Sequence, residues 1–407
     1  MKTLRFISIL FFLVACDDIG KGYQWQGKSF GFTRRFGSIG YDYGLNAAPS
    51  PYDGGIIVVG QRSEQIGTQS DLWAIKTDSN GIMEWEKFFG GGNNDVGYDA
   101  VATSDGGFLF VGYSWSFGNK QEVYAIKTDF NGNTLWEKTY GGSMWDIGNA
   151  VIEVDDGGYL IAGHSNSPQF SSGNTDIFLI KLDTNGNVLW QKSFGNLAYP
   201  NHEWAYDIIQ ISDGGFILVG ARDRYNEGSL NGLILRLNSE GDIIWEKELL
   251  DNNQIKETIF SVSQSISGHL YLCSSQNTIE DKNLYEAKIT KMDLAGNIDW
   301  QRTFKTNGRE YHQYRATTTT SNEIIFVGST FQELSTGLKE DAFMTKIDPK
   351  GNILWSRPYG GADEDDWGWS LFETGESNLV FVGSTKSFGS SLFDIFLVGT
   401  NADGVIK

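Results

Sequence analysis

Five acidic residues recur at one fixed offset in this chain. Asp95, Asp146, Glu203, Glu257 and Asp366 each stand ten residues before a short turn; Asp42 is one residue out of phase, and Tyr311 takes the acid's place once. Carboxylates repeated in this way can cap backbone N–H groups, gather a cation or, taken as a pair, serve as acid and base at a glycosidic bond. Capping is the preferred reading, because every repeat needs it equally. Any ring of acids also offers a carboxylate pair, so the spacing alone does not select an enzyme.

Large aromatics accompany the acids. Trp145, Trp204 and Trp367 adjoin them directly, Trp369 follows closely, and Trp115, Phe117 and Tyr199 lie in other long connections. Exposed indole rings beside carboxylates suit sugar stacking or a protein contact; the competing reading is a packed lid. The candidate ligand-binding set is therefore Trp115, Trp145, Trp204, Trp367 and Trp369 with Asp95, Asp146, Glu203, Glu257 and Asp366. His164, His202 and His312 also fall in such connections, but they have no ligand spacing, and no metal is expected. The Asp-x-Asn-Gly-Asn segments, such as Asp129 to Asn133 and Asp183 to Asn187, superficially resemble calcium loops but lack the downstream glutamate, and they read as turns. No nucleophile elbow, phosphate loop or zinc-protease signature is present, so a non-catalytic protein without a cofactor is expected.

The elements that would position these residues come from an internal repeat. Trp85, Trp136, Trp190, Trp245, Trp300 and Trp355 are spaced 51, 54, 55, 55 and 55 residues apart. Periods of this size mean propellers or solenoids. Within one unit, four short alternating or apolar runs (149–154, 159–163, 177–182 and 188–194) read as strands. Asp156-Gly157-Gly158 and Asp183-Thr184-Asn185-Gly186 supply tight reversals between them. The expected fold is all-β, a propeller of seven four-stranded antiparallel blades. The seventh unit stops at Lys407 before its tryptophan, and "FTRRFG" from Phe32 supplies the missing strand, closing the ring and leaving no open edge. The long connections then share one face, where binding is expected, and the tight turns share the other. The recurring Lys76, Lys127, Lys181, Arg236, Lys291 and Lys346 are expected as surface partners of the Glu or Gln after each tryptophan.

The chain begins with Lys2, Arg5 and an apolar run from Phe6 to Val14, a secretory signal too short to span a bilayer. Leu13-Val14-Ala15-Cys16 resembles a bacterial lipobox, which implies cleavage after residue 15 and lipid on Cys16. The expected organisation is a signal peptide (1–15), a lipid-anchored linker (16–31) and one propeller domain (32–407). A monomer is expected, anchored in the cell envelope at the outer membrane or cell surface. The formal net charge of −19 repels phosphate backbones and excludes nucleic acid as a partner. Cys273, the only other cysteine, reads as a core residue, so no disulfide framework is available.

The segment Lys181 to Gly195, KLDTNGNVLWQKSFG, resembles the tryptophan-docking repeats of quinoprotein-type propellers. That group includes an outer-membrane-assembly lipoprotein. The whole unit is closer to a repeat of bacterial secreted proteins and lipoproteins of unassigned function. The resemblance implies a fold and no particular activity. With seven units and no adjacent cysteines, the chain departs from the quinone-dependent dehydrogenases. The function expected from sequence is a non-catalytic envelope protein that binds a protein or polysaccharide through its long-loop face. Two alternatives are a carbohydrate-active enzyme using the acidic ring and an outer-membrane assembly scaffold.

Overall fold

The computed structural model describes residues 31–406 apart from residues 66, 119, 172–173, 196–200, 224–229, 250–254, 278–283, 310–314, 335–336, 362–363 and 389–391. Cys16, the signal peptide and the linker up to residue 30 lie outside the described residues, as do Tyr199, Tyr311 and His312. The described residues form seven antiparallel sheets of four strands each, and no helix occurs among them.

In six of the sheets the strands run in sequence order from the inside out. In the first blade these are Asp42–Pro49, Ile56–Ser63, Ser70–Thr77 and Met83–Phe89. The two middle strands read as continuous apolar runs because both of their faces are covered by neighbouring blades: Ile57, Val58, Val59, Leu72, Ala74 and Ile75 have no exposure. Burial falls away at the fourth strand, where Leu135 and Leu189 face outward. The core is thus a series of slabs between adjacent blades, such as the one that joins Val59 and Leu72 to Ala100, Phe110 and Ile126.

The ring closes as the sequence predicts. Phe32–Phe36 pairs antiparallel with Asp394–Thr400 and becomes the outer strand of the seventh blade. Phe32 stands opposite Gly399, as Trp85 stands opposite Lys76 in the first blade. The tryptophans explain why the motif repeats. Trp136 donates from Nε1 to the Thr184 carbonyl of the next blade at 3.0 Å, and its ring lies 3.0 Å from where a Cβ on Gly186 would stand. Gly186 has φ +72°, so the turn needs glycine both for its backbone and for the indole resting on it. Trp85, Trp245 and Trp300 make the same inter-blade bond.

The innermost strand carries a β-bulge in six blades, at Leu45, Tyr98, Asn149, Tyr206, Phe260 and Trp369. The bulge presses this strand against the second one. A Cβ on Gly112 would stand 1.8 Å from the Val96 carbonyl oxygen, which accounts for the Val-Gly step of the repeat.

The recurring basic residues correct one expectation. Lys76 is fully buried, and its Nζ lies 2.6 Å from Asp53 and 2.8 Å from Glu84. Lys127 reaches Asp105 at 2.9 Å, Lys181 reaches Asp156 at 2.6 Å, and Arg236 reaches Asp213 at 2.5 Å. Their partners are the aspartates of the tight turns rather than residues after the tryptophans. Each side chain runs along the sheet and clamps the turn between the first two strands.

Candidate functional site

The acidic ring caps the inter-blade turns. Asp42, Asp95, Asp146, Glu203 and Asp366 have no exposure, and Glu257 has 2%. Asp95 Oδ2 accepts from the Gly91 N–H at 2.9 Å and the Ser116 hydroxyl at 2.6 Å. Asp146 repeats this with Gly142 and Ser167, both at 2.8 Å, and Asp366 with Gly361 at 2.9 Å and Ser387 at 2.8 Å. Glu203 accepts from Arg222 Nε at 2.9 Å; Glu257 accepts from the Ser274 hydroxyl at 2.6 Å and Lys288 Nζ at 2.9 Å. Burial raises the Asp42, Asp146 and Asp366 carboxyls, and it lifts Glu203 to about 7 despite Arg222. These groups sit between blades and face backbone amides and hydroxyls, not an open channel mouth.

The aromatic candidates divide. Trp367 and Trp369 meet edge to face at 5.7 Å, and Trp367 also stacks on Phe393 at 3.9 Å. Tyr43 lies 6.5 Å from Trp367 and Tyr41 lies 6.3 Å from Tyr43, with nearly parallel rings, so a strip of aromatic faces reaches the exposed Tyr41. Trp367 Nε1 donates to Glu340 at 2.6 Å and Trp369 Nε1 to the Ser384 hydroxyl at 3.2 Å. Among the described residues, no ring contact joins Trp115, Trp145 or Trp204 to this strip. Trp145 is exposed, Trp115 is half-buried, and Trp204 stacks on His202 at 5.5 Å. His164 is held neutral, its pKa lowered by burial to about 4, with Nδ1 3.1 Å from the Asn149 amide. His202 Nδ1 accepts from the Thr175 N–H at 3.3 Å. Asp129 spends both oxygens on its own turn, on the Asn131 and Asn133 N–H groups and the Asn133 amide. Cys273 is fully buried in the core, where desolvation pushes its thiol up.

A different set of residues surrounds the central channel: Asn46, Asp99, Ala150, Asp207, Ser261 and Ser370, each one step beyond a bulge, and Arg315 at the matching register of the sixth blade. Several tie one blade to the next. Asp99 Oδ2 accepts from the Val151 N–H at 2.8 Å, Asp207 Oδ2 from the Val262 N–H at 2.9 Å, and the Ser261 hydroxyl from the Ala316 N–H at 2.9 Å. The Ser370 hydroxyl donates to Asn46 Oδ1 at 2.7 Å, and the Asn46 amide donates to Asp99 Oδ1 at 2.5 Å. Unlike the caps, Asp99, Asp207 and Arg315 retain some solvent exposure. Burial lifts Asp99 to about 7; Arg315 opposes this, and the charge of Asp207 adds to it. Asp207 is also raised by burial against the pull of Arg315.

Four girdle residues, Asp207, Ser261, Arg315 and Ser370, line a cavity of about 510 Å³ at the tight-turn end of the channel. Its walls bring Asp207 and Arg315 together with Gln210, Ser263, Gln264 and Thr318. A carboxyl raised by burial and an arginine in a solvent-connected well can exchange a proton and orient a polar ligand. The well lies on the face opposite the one expected from loop length. Sequence pattern missed it because the girdle residues share a position but not a residue type; the one available signal was the common place of six of them two residues after the Gly, Ala or Ile that precedes a bulge.

No family model and no curated protein sequence matches this chain. Solved structures do. The Pan2 WD40 domain of Neurospora crassa superposes with a TM-score of 0.55 at 11% identity, covering 94% of this chain and 96% of that one. An ulvan lyase, a polysaccharide lyase bound to -[GlcA(1-4)Rha3S]-, superposes with a TM-score of 0.56 at 9% identity, covering 92% and 97%. The α-L-arabinofuranosidase of Fusarium graminearum gives 0.49 at 10% identity, covering 76% and 94%. At these identities the likeness is one of fold, an all-β propeller, and the seven blades are read from this chain's own sheets. It also corrects the expectation of a non-catalytic protein. The ulvan lyase is an enzyme that shares this architecture over nearly its whole length, so lacking a familiar catalytic motif gives no ground for excluding catalysis here.

Proposed function

We propose that the protein is a carbohydrate-active enzyme whose reaction takes place in the channel well. The observation that carries this reading is the presence of Asp207 and Arg315 together in a cavity walled by amide and hydroxyl side chains. Gln210, Gln264, Ser263 and Thr318 match the hydrogen-bonding character of sugar hydroxyls, and the volume falls within the usual range for a ligand site. Asp207, whose carboxyl burial raises, is the proton-transfer group, and Arg315 orients the substrate. The ulvan lyase adds support as a polysaccharide enzyme on the same ring. A lipid on Cys16 would hold the ring at the cell envelope, where polysaccharide is met.

The test is turnover of a panel of neutral and acidic polysaccharides, followed both by new reducing ends and by the ultraviolet absorbance of unsaturated ends. The expected result is product from at least one of them, reduced about 100-fold or more in Asp207→Asn. No turnover across the panel, or full activity in Asp207→Asn, overturns the reading.

A further inference from the structure

The surface of this chain is strongly acidic, yet the well holds a cation with no anion bonded to it. Arg315 opens the inner strand of the sixth blade, Arg315–Thr318, and lines the cavity. Its charge reaches both Asp99 and Asp207, where it is the main influence opposing burial. Among the described residues, however, no carboxylate stands within ion-pair distance of its guanidinium, and its buried Nε has no hydrogen-bond partner. The other recurring cations behave differently: Lys76, Lys127, Lys181 and Arg236 each touch a carboxylate at 2.9 Å or less. The two aspartates nearest to Arg315 have other tasks. Asp99 and Asp207 spend their oxygens on the Val151 and Val262 N–H groups, on the N–H groups of Ala100 and Ile208, and on the Asn46 amide.

A buried guanidinium donor without an acceptor is costly, and a planar fork of donors is the side-chain chemistry best matched to an oxyanion. The local charge permits one. Burial keeps the proton on the Asp99 carboxyl to higher pH than usual, so near neutrality the surroundings of Arg315 are less negative than their formula suggests. Gln264, Ser263 and Thr317 stand in the same wall and supply neutral hydrogen-bonding groups beside the charge.

We propose that Arg315 reads an anionic group on the sugar bound in the channel well, so that the site takes acidic saccharides in preference to neutral ones. This inference rests on the reading of the well as a carbohydrate site, but it can fail independently. The experiment is calorimetric titration of the full chain with galacturonate, glucose 6-sulfate and glucose, repeated on Arg315→Gln and Arg315→Lys. The expected result is that one of the two acidic sugars binds about ten-fold or more tightly than glucose. That preference should vanish in Arg315→Gln and return in part in Arg315→Lys; the tighter acidic sugar identifies the anionic group as a carboxylate or a sulfate ester. Equal affinity for all three sugars, no binding of either acidic sugar, or a preference that survives in Arg315→Gln overturns the proposal. Turnover of neutral polysaccharides alone, with no preference for charge, would refute the role of Arg315 and leave the proposed activity standing.

Discussion

The molecule contains two rings of acidic chemistry, and they differ in kind. The outer one, at the blade junctions, repeats closely at Asp95, Asp146 and Asp366, each an acid with no exposure holding a turn amide and a serine hydroxyl, while Glu203 and Glu257 hold Arg222 and Lys288. The inner one, at the channel girdle, has seven equivalent places filled by Asn46, Asp99, Ala150, Asp207, Ser261, Arg315 and Ser370. Repetition marks what every blade needs to close against its neighbour. Departure from the repeat marks where one part of the ring does what the others do not. The more conspicuous acids in the sequence are thus structural, and the candidate chemistry sits where the repeat breaks.

Breaking ring closure should have the largest effect on stability. Phe32→Ala removes the buried ring that substitutes for a tryptophan in the seventh blade and should cost about 3 kcal/mol in denaturant unfolding. Because that blade joins the two ends of the chain, the loss should appear as lower cooperativity of the whole unfolding transition. A change confined to one blade would show that the ring does not depend on this seam.

Next, Asp146→Ala strands the Gly142 N–H and the Ser167 hydroxyl in a buried site and should cost about 2 kcal/mol. The same substitution at Asp95 should behave alike, since its bonds are equivalent. If either variant instead abolished ligand binding at unchanged stability, the distinction between the two rings would fail.

The smallest effect sharpens the comparison through pH. Asp99 and Glu203 have folded pKa values of about 7, above their ordinary values of 3.8 and 4.5, so between those limits the folded state binds more protons than the unfolded chain. Stability should therefore decline as pH rises from about 4 to 7 and level off above. Asp99→Asn and Glu203→Gln should each flatten that decline, by about 1 kcal/mol for each pH unit within that window, measured as unfolding midpoints at several pH values. An unchanged slope in Asp99→Asn would mean that the channel carboxylate is not desolvated.

Much of the fold was legible because the repeat states it directly. Tryptophan spacing gave the blade period, and the truncated last unit with Phe32 at the other end gave the seam. The buried basic residues were misjudged for a physical reason. Outward alternation along a strand says which face a lysine leaves, but not that Lys76 then lies along the sheet to reach Asp53 in the turn. The site was less legible still. Loop length pointed to the long-loop face, where Trp367 and Trp369 do join Tyr41 and Tyr43 in a strip. In the channel well, Asp207 follows directly on the bulge at Tyr206. A bulge is a question of register between strands, and strand periodicity alone does not reveal it.

The most direct test compares Asp207→Asn with Asp146→Asn in one preparation, recording polysaccharide turnover and thermal unfolding for each. The account predicts that the channel variant keeps its unfolding temperature near that of the parent and loses turnover, whereas the junction variant unfolds earlier and, while folded, remains active. The opposite pattern, with turnover lost at Asp146 and kept at Asp207, would contradict it.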